Sequence, residues 1–425
     1  MPSDEDNQPQ ASTSGSGYGE IRASIDVDAL EKYLERTLKG VRLPLGVKQF
    51  KFGQSNPTYF LTDANNTRYV LRKKPSGALL SKTAHQVERE YTVLHALHQY
   101  NLRPTTSSNS RVPVPEPYLL CTDTSVIGTS FYVMQFLDGR IFEDARLLGL
   151  PSPKDREECW IAAIRALAAL SSIDPADIGL GEYGPPGAYF PRQLRAFSKI
   201  AEVQGATRDI DTNERVHQIP FYESMLRWFQ THLPDESRIG RRIVHGDYKL
   251  DNLVFHPTQN VVIGILDWEL STLGSPLADF ANLTQPWSIK PEYLPTDGVF
   301  RQNVRAFKGL PTNIGTSEEN CAPVQIDLLE KEYCRCMNLE YPLKDIVFVK
   351  SWMLFRTSII SQGIAARVAR RQASSANAAQ YSTSVDLFGD IARKVVVDSG
   401  EDVEEPIQPI LHIVLSFFNT HSISP

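Results

Sequence analysis

Asp247, Asn252 and Asp267 follow one another at intervals of five and fifteen residues. The first two lie in His245 to Phe255, HGDYKLDNLVF, and the third is the next-to-last residue of the run NVVIGILDW. Two carboxylates and an amide, with Lys249 among them, are the parts that phosphoryl transfer asks of a protein. It needs oxygen ligands for a Mg²⁺ on the phosphates, a carboxylate at the attacking hydroxyl, and a cation against the transferred charge. The runs NLVFHP and NVVIGILDW, joined by a Thr-Gln-Asn turn, predict a β-hairpin whose paired ends would bring the three residues to one point. On this reading Asn252 and Asp267 hold the metal. Asp247 orients the acceptor hydroxyl or takes its proton, and Lys249 faces the phosphate. His245 is expected to hold the turn by a hydrogen bond, and Gly246 to allow a tight backbone. Asp279, in LADFAN, reads as a cap or a link to this loop rather than a third metal ligand.

Elements must position these groups, and the pattern of the chain predicts them. VDALEKYLERTL carries apolar residues at helical spacing behind Asp26. VKQFKFGQSN, PTYFLTDANN and TRYVLRKK alternate with period two around turn residues, the signature of antiparallel strands. The helix TAHQVEREYTVLHALHQY follows, then the extended RVPVPEPYLLCTD and the strand run GTSFYVMQFL. Beyond residue 137 helices dominate. The expectation is an α+β, two-lobed chain: a disordered tail over 1–20, a strand-rich lobe over 21–137, and a helical lobe over 138–425 that holds the catalytic loop and the acceptor site. Residues 288–325 read as an irregular insertion.

A net charge of −6 and a pI near 5.9 argue against a nucleic-acid binder, which needs a basic face to displace counterions. No apolar run reaches the roughly 20 residues of a membrane span. Five cysteines without a repeated CxxC pair indicate neither a disulfide framework nor a structural zinc. The acidic N-terminus lacks a secretory or transit pattern, so a cytoplasmic protein is expected.

The motifs together resemble a known family. HGDYKLDN followed by ILDWE resembles the catalytic and metal-binding motifs of the aminoglycoside phosphotransferase and choline kinase-like branch of the protein-kinase-like fold. The similarity is greatest to the phosphotransferase domain attached to acyl-CoA dehydrogenase family members ten and eleven, through GQSNPTYFL, AHQVEREY, HGDYKLDN, LDWELSTLGSPLADFANL and FRTSIISQGIAARV. This resemblance implies MgATP and a phosphate-covering turn at Gly53, Gln54, Ser55 and Asn56. It implies a strand cation in YVLRKK, which alternation assigns to Arg72 rather than Lys73, and a partner on the next helix, Glu90 or else Glu88. The hinge would be Gln135, Phe136 and Leu137, with Gln135 where relatives often have an acidic residue. The implied acceptor is a hydroxyl on a small acid or its CoA thioester, such as a 4-hydroxyacyl-CoA.

Tyr183 to Arg192 would form an acceptor-side loop, by the family pattern alone. Arg356, Gln362 and Arg367 either belong to a solvated helix face or bind the acceptor's carboxylate or CoA phosphates. Asn56-Pro57-Thr58-Tyr59 also spells a peptide-docking signal, which would require exposure. Two alternatives stand beside the kinase reading: a nucleotide-binding protein without catalysis, and an aminoglycoside, choline or sugar kinase of the same fold. A protein kinase would need an extended activation segment, and ELSTLGSPLADF passes almost directly into a helix.

Overall fold

The computed structural model describes residues 12–13, 17–50, 56–75, 86–294, 322–372 and 384–403. Its first half runs β1 (Ser12–Thr13), β2 (Tyr18–Gly19), α1 (Val27–Thr37), β3 (Gly46–Phe50), β4 (Thr58–Thr62), β5 (Arg68–Lys73), α2 (Val87–Asn101), β6 (Pro117–Cys121), α3 (Thr124–Ile127), β7 (Phe131–Gln135) and β8 (Arg140–Ile141). Six of these strands form an antiparallel sheet in the order β2-β3-β4-β5-β7-β6. Period-two alternation sorts its two faces. Tyr59, Leu61, Leu71, Phe131 and Val133 turn to one side and pack with Leu30 and Leu34 of α1. Asp26 caps that helix by accepting from the Ala29 amide at 2.9 Å. Each buried leucine contributes on the order of 1.5–3 kcal/mol. The opposite face carries Arg72 and Tyr132, which meet Glu90 of α2.

The stretch expected as a disordered tail contains two short paired segments. Tyr18–Gly19 joins β3, and Ser12–Thr13 pairs with β8. Composition misses the first because one aromatic ring carries it: Tyr18 stacks on Phe60, with centroids 4.6 Å apart and planes 4° apart.

The second half runs α4 (Pro153–Ser172), α5 (Tyr189–Gly205), α6 (Tyr222–Thr231), β9 (Arg242–Val244), β10 (Leu253–Phe255), β11 (Val262–Ile265), β12 (Thr272–Gly274), α7 (Leu277–Leu283), α8 (Gln285–Ser288), α9 (Ile326–Met337), α10 (Ile346–Ala369) and α11 (Ser384–Asp398). The predicted hairpin is β10–β11, with Leu253 opposite Ile265. β9 pairs with β12.

The chain divides into two compact units. The first comprises residues up to Gln193 together with Pro234–Met353, and the second Leu194–Leu233 together with the residues from Leu354. These units group segments by their contacts, whereas the boundary expected at residue 137 follows the change in periodicity. The six-stranded sheet and the β10–β11 hairpin share the first unit, where Arg72 of β5 pairs both with Glu90 of α2 and with Asp267, two residues past the end of β11. In the second unit, Phe355 packs on Tyr222 and Phe229, and a Cβ at Gly389 would stand 2.7 Å from Ile219 Cγ2. Among the described residues, no helix is long and apolar enough to cross a membrane.

Candidate active site

The candidate catalytic turn is built by backbone groups held from below. The carboxylate of Asp279 at the start of α7, 1% exposed, accepts from the His245 amide at 2.6 Å and the Gly246 amide at 2.9 Å. Its expected role as a link to the loop is what the geometry displays. Gly246 has φ +86°, and a Cβ there would lie 2.6 Å from the Leu270 carbonyl oxygen. Only glycine meets both conditions without strain. The His245 ring completes the turn. Its Nε2 lies 2.8 Å from the Leu266 carbonyl and its Nδ1 accepts from the Asp247 amide at 3.2 Å, so the proton sits on Nε2. With both nitrogens engaged, His245 is a support for Asp247.

The hairpin then gathers the polar groups. Leu253 pairs with Ile265, and the Leu266 amide donates to the Asn252 carbonyl at 2.9 Å, which sets Asn252 and Asp267 at adjacent ends of the two strands. The Asn252 Nδ2 donates to the Asp247 carbonyl at 2.8 Å and to its Oδ2 at 3.1 Å. With its nitrogen committed, Asn252 offers its amide oxygen to a cation. Lys249 Nζ stands 3.4 Å from Asp247 Oδ2 and 3.3 Å from Asp251 Oδ2. Burial disfavours the Lys249 charge, but these two carboxylates outweigh it and raise its pKa.

Arg72 settles which cation of β5 faces this centre. Its guanidinium lies 3.1 Å from Glu90 Oε2 and 3.1 Å from Asp267 Oδ1, while Lys73 points to the other side and donates to the Ser24 carbonyl at 2.8 Å. Glu88 pairs instead with Lys74 at 2.6 Å. Glu90 also accepts from Asn56 Nδ2 at 2.7 Å and from the Tyr132 hydroxyl at 3.0 Å. Burial pushes the Glu90 carboxyl up to about 7, against the pull of Arg72. The Arg72 charge is opposed by its burial, yet Glu90 first, then Tyr132 and Asp267, raise its pKa further. The side chain of Glu90 is 0% exposed, whereas those of Asp247 and Asp267 are 33% and 36% exposed. The last two can meet a ligand; Glu90 can only position Arg72.

Asp267 itself adopts φ +65°. Aspartate tolerates this left-handed backbone better than most residues, and it turns the carboxylate back toward Arg72. An amide oxygen and a carboxylate beside a second carboxylate fit Mg²⁺, which takes few protein ligands and completes its shell with phosphate oxygens and water.

Several expected residues fall elsewhere. Gly53, Gln54 and Ser55 lie outside the described residues. Asn56 is fully buried and spends its amide on Glu90, so it serves the ion-pair network; with Tyr59 also buried, the peptide-docking reading of NPTY fails. At the hinge, Gln135 bonds Glu116 through both backbone and side chain, and Phe136 packs edge-on to Phe60 with centroids 5.0 Å apart. Leu137 lies over Gly264, where any side chain would collide with it.

Gln362 departs from the expectation of an acceptor contact. It is 0% exposed and donates to the His217 carbonyl and Gln218 Oε1, both at 3.0 Å, because Gly205 leaves room for its amide. Arg356 lies over the Phe197 ring at 5.7 Å, and Arg367 is exposed. All three belong to the second unit. Tyr132 was not foreseen. Its position opposite Arg72 in the β5–β7 register was the available signal.

Comparisons with known proteins agree with this geometry. Residues 46–306 match the phosphotransferase enzyme family. Acyl-CoA dehydrogenase family member 10 of Mus musculus is 37% identical over 373 residues, covering 87% of this chain and 31% of that protein. The chain spans less than half the length of the curated relatives it matches. A solved protein of Ralstonia eutropha, provisionally named an aminoglycoside phosphotransferase, is 35% identical with a TM-score of 0.68, over 87% of this chain and 99% of that one. Choline kinase of Cryptosporidium parvum, at 12% identity and a TM-score of 0.51, covers 88% of this chain and 97% of its own, and shares the fold. The chain belongs to the phosphotransferase enzyme family and is a small-molecule kinase of the two-lobed, protein-kinase-like fold.

Proposed function

We propose that this enzyme transfers the γ-phosphate of MgATP to the hydroxyl of a small hydroxy acid or hydroxyacyl-CoA. The observation that carries the reading is the convergence of Asp247, Asn252, Asp267 and Arg72 on one turn and hairpin of the first unit. Asn252 Oδ1 and Asp267 would hold Mg²⁺, which when bound offsets charge on the phosphates. Asp247 accepts the proton of the acceptor hydroxyl or orients it, from a side chain already fixed by Asn252. Lys249 balances charge next to Asp247, and Arg72, tied to Glu90, presents its fork to phosphate oxygens. The acyl-CoA part of the acceptor rests on the name of the relatives, acyl-CoA dehydrogenase family members, whose similarity covers 87% of this chain.

The test is a screen of MgATP consumption with mass detection of the product, across hydroxyacyl-CoAs, free hydroxy acids, amino alcohols, sugars and aminoglycosides. Turnover on an acidic acceptor is expected, with kcat reduced about 10²–10⁴-fold in Asp247→Asn. Product formed only from an amino alcohol, sugar or antibiotic would replace the acceptor proposed. ATP bound without turnover on any acceptor would leave a nucleotide-binding protein.

A further inference from the structure

The helix that carries Glu90 is tied a second time to the segment that carries Asp267. Arg89, the preceding residue of α2, stacks over Tyr183 with its guanidinium carbon 4.1 Å from the ring centroid. Its Nη2 donates to the Tyr183 carbonyl at 2.9 Å and reaches the Ser271 carbonyl at 3.5 Å. The Tyr183 hydroxyl lies 2.7 Å from Ser271 Oγ, and Ser271 Oγ donates to the Trp268 carbonyl at 2.5 Å. With the serine proton committed to Trp268, the single Tyr183 hydroxyl proton is shared between Ser271 Oγ and the Arg89 carbonyl, which lies 3.2 Å away. Tyr183 and Ser271 are 9% and 5% exposed.

The loop that presents Tyr183 is itself pinned by arginines. Arg241 donates to the carbonyls of Gly181, Gly184 and Pro185, and Arg192 to those of Pro185, Pro186, Gly187 and Leu273. A Cβ at Gly184 would come within 2.6 Å of the Leu273 amide, so the loop lies directly on β12. Charged donors hold here what regular secondary structure does not. A loop so engaged with its own scaffold has little left for an acceptor, which turns the acceptor-side expectation for Tyr183 to Arg192 toward a positioning role.

Arg72 can bridge Glu90 and Asp267 only while α2 keeps its distance from residues 267–271. We propose that Arg89, Tyr183 and Ser271 form a latch that fixes this distance and so sets the affinity of the site for metal-bound nucleotide. The three are positioning residues. The inference deepens the kinase reading above and rests on it.

The test uses the full-length protein and calorimetric titration of MgADP at graded Mg²⁺, with steady-state kinetics alongside. Tyr183→Phe is compared with Tyr333→Phe, which removes a bond of the same kind, from a buried tyrosine hydroxyl to Ser171 Oγ at 3.1 Å, away from the ion-pair network. Tyr183→Phe is expected to weaken MgADP binding about 5- to 10-fold, the scale of one buried hydrogen bond, with recovery at high Mg²⁺ and an unchanged KM for the acceptor. Tyr333→Phe is expected to shift thermal stability alone. Ser271→Ala removes the shared bond together with the one to the Trp268 carbonyl, and Tyr183→Phe also releases the Arg89 carbonyl, so the double variant should fall short of the sum of the single effects by the shared bond. Equal Mg²⁺ dependence in Tyr183→Phe and Tyr333→Phe, or full additivity of the pair, would overturn the latch. A wild-type protein that binds MgADP keeps the kinase reading standing in that event, whereas one that binds none removes both.

Discussion

Replacing Asp279 by asparagine changes neither the volume nor the shape of the side chain, so it isolates the charge under the catalytic turn. The native carboxylate accepts two backbone amides at 2.6 and 2.9 Å from a site 1% exposed. Hydrogen bonds to a charged acceptor contribute about 1.5–3 kcal/mol each, and a buried donor left unmet costs about 1–3 kcal/mol. Asparagine can accept one amide with its oxygen, but its NH₂ then confronts the other. One charged bond is lost and the second becomes neutral, so destabilisation of roughly 2–4 kcal/mol is expected. Thermal unfolding followed by circular dichroism should show a midpoint several degrees lower, on the scale of about 2–4 °C per kcal/mol for domains near 200 residues. The displaced donors are those of His245 and Gly246, two residues and one residue before Asp247. A shift of about 1 Å at a reacting group can cost about 10²-fold in rate. In a coupled assay of ADP release, kcat should therefore fall about 100-fold. KM for ATP should stay within about threefold, since Arg72 and Glu90 are held by each other and by Asn56 and Tyr132. A variant with an unchanged midpoint and kcat within twofold of wild type would refute the idea that Asp279 braces the turn.

Arg72→Met strands Glu90 without its cation, an arrangement that costs about 3–5 kcal/mol. Arg72→Lys should keep the charge but not both ion pairs, raising KM for ATP more than it lowers the unfolding midpoint; unchanged KM would count against the fork's role. For pH, burial holds Glu90 at about 7, above the ordinary glutamate value of 4.5. Between these values the folded protein keeps a proton that the unfolded chain has released, so this group's contribution to stability falls as pH rises through the window. Urea midpoints should then drop from pH 4.5 to 7 in wild type relative to Glu90→Gln, and parallel profiles would contradict the burial argument. Gly246→Ala should lose activity and stability together, because its methyl meets the Leu270 carbonyl; a fully active alanine variant would show that the turn relaxes freely.

The grouping of the candidate site's residues was legible because they are close in sequence or joined by one hairpin. Period-two alternation chose Arg72 over Lys73, and the spacing of Asn252 and Asp267 matched the β10–β11 register. Roles set by distant contacts were harder to read. Asn56 sits in a stretch that reads as phosphate-facing, yet its amide goes to a residue 34 positions away. Gln362 lies among arginines on α10, and one helical residue's neighbours do not reveal that its amide is buried against residues 217 and 218. The tie between Arg89 and Tyr183 spans 94 residues and joins a helix to an irregular loop, where no periodicity exists to announce it. The split into two units also escaped the reading, because the change from strands to helices at residue 137 marks local structure and not the contacts that group segments together.

The left-handed backbone at Asp267 bears on how chains of this kind can lose their activity. Glycine and asparagine tolerate φ +65° comparatively well, and asparagine could still offer Arg72 an oxygen in place of Oδ1. Glutamate would keep the charge on a longer arm in a conformation it adopts poorly, and β-branched residues are excluded. Folding therefore tolerates more than one side chain at this position, whereas a hard cation is served well only by aspartate. Retirement from catalysis would leave its trace as asparagine or glycine here, without the chain having to unfold. On the role proposed for Asp267, an aspartate at this position is a record of chemistry rather than of stability.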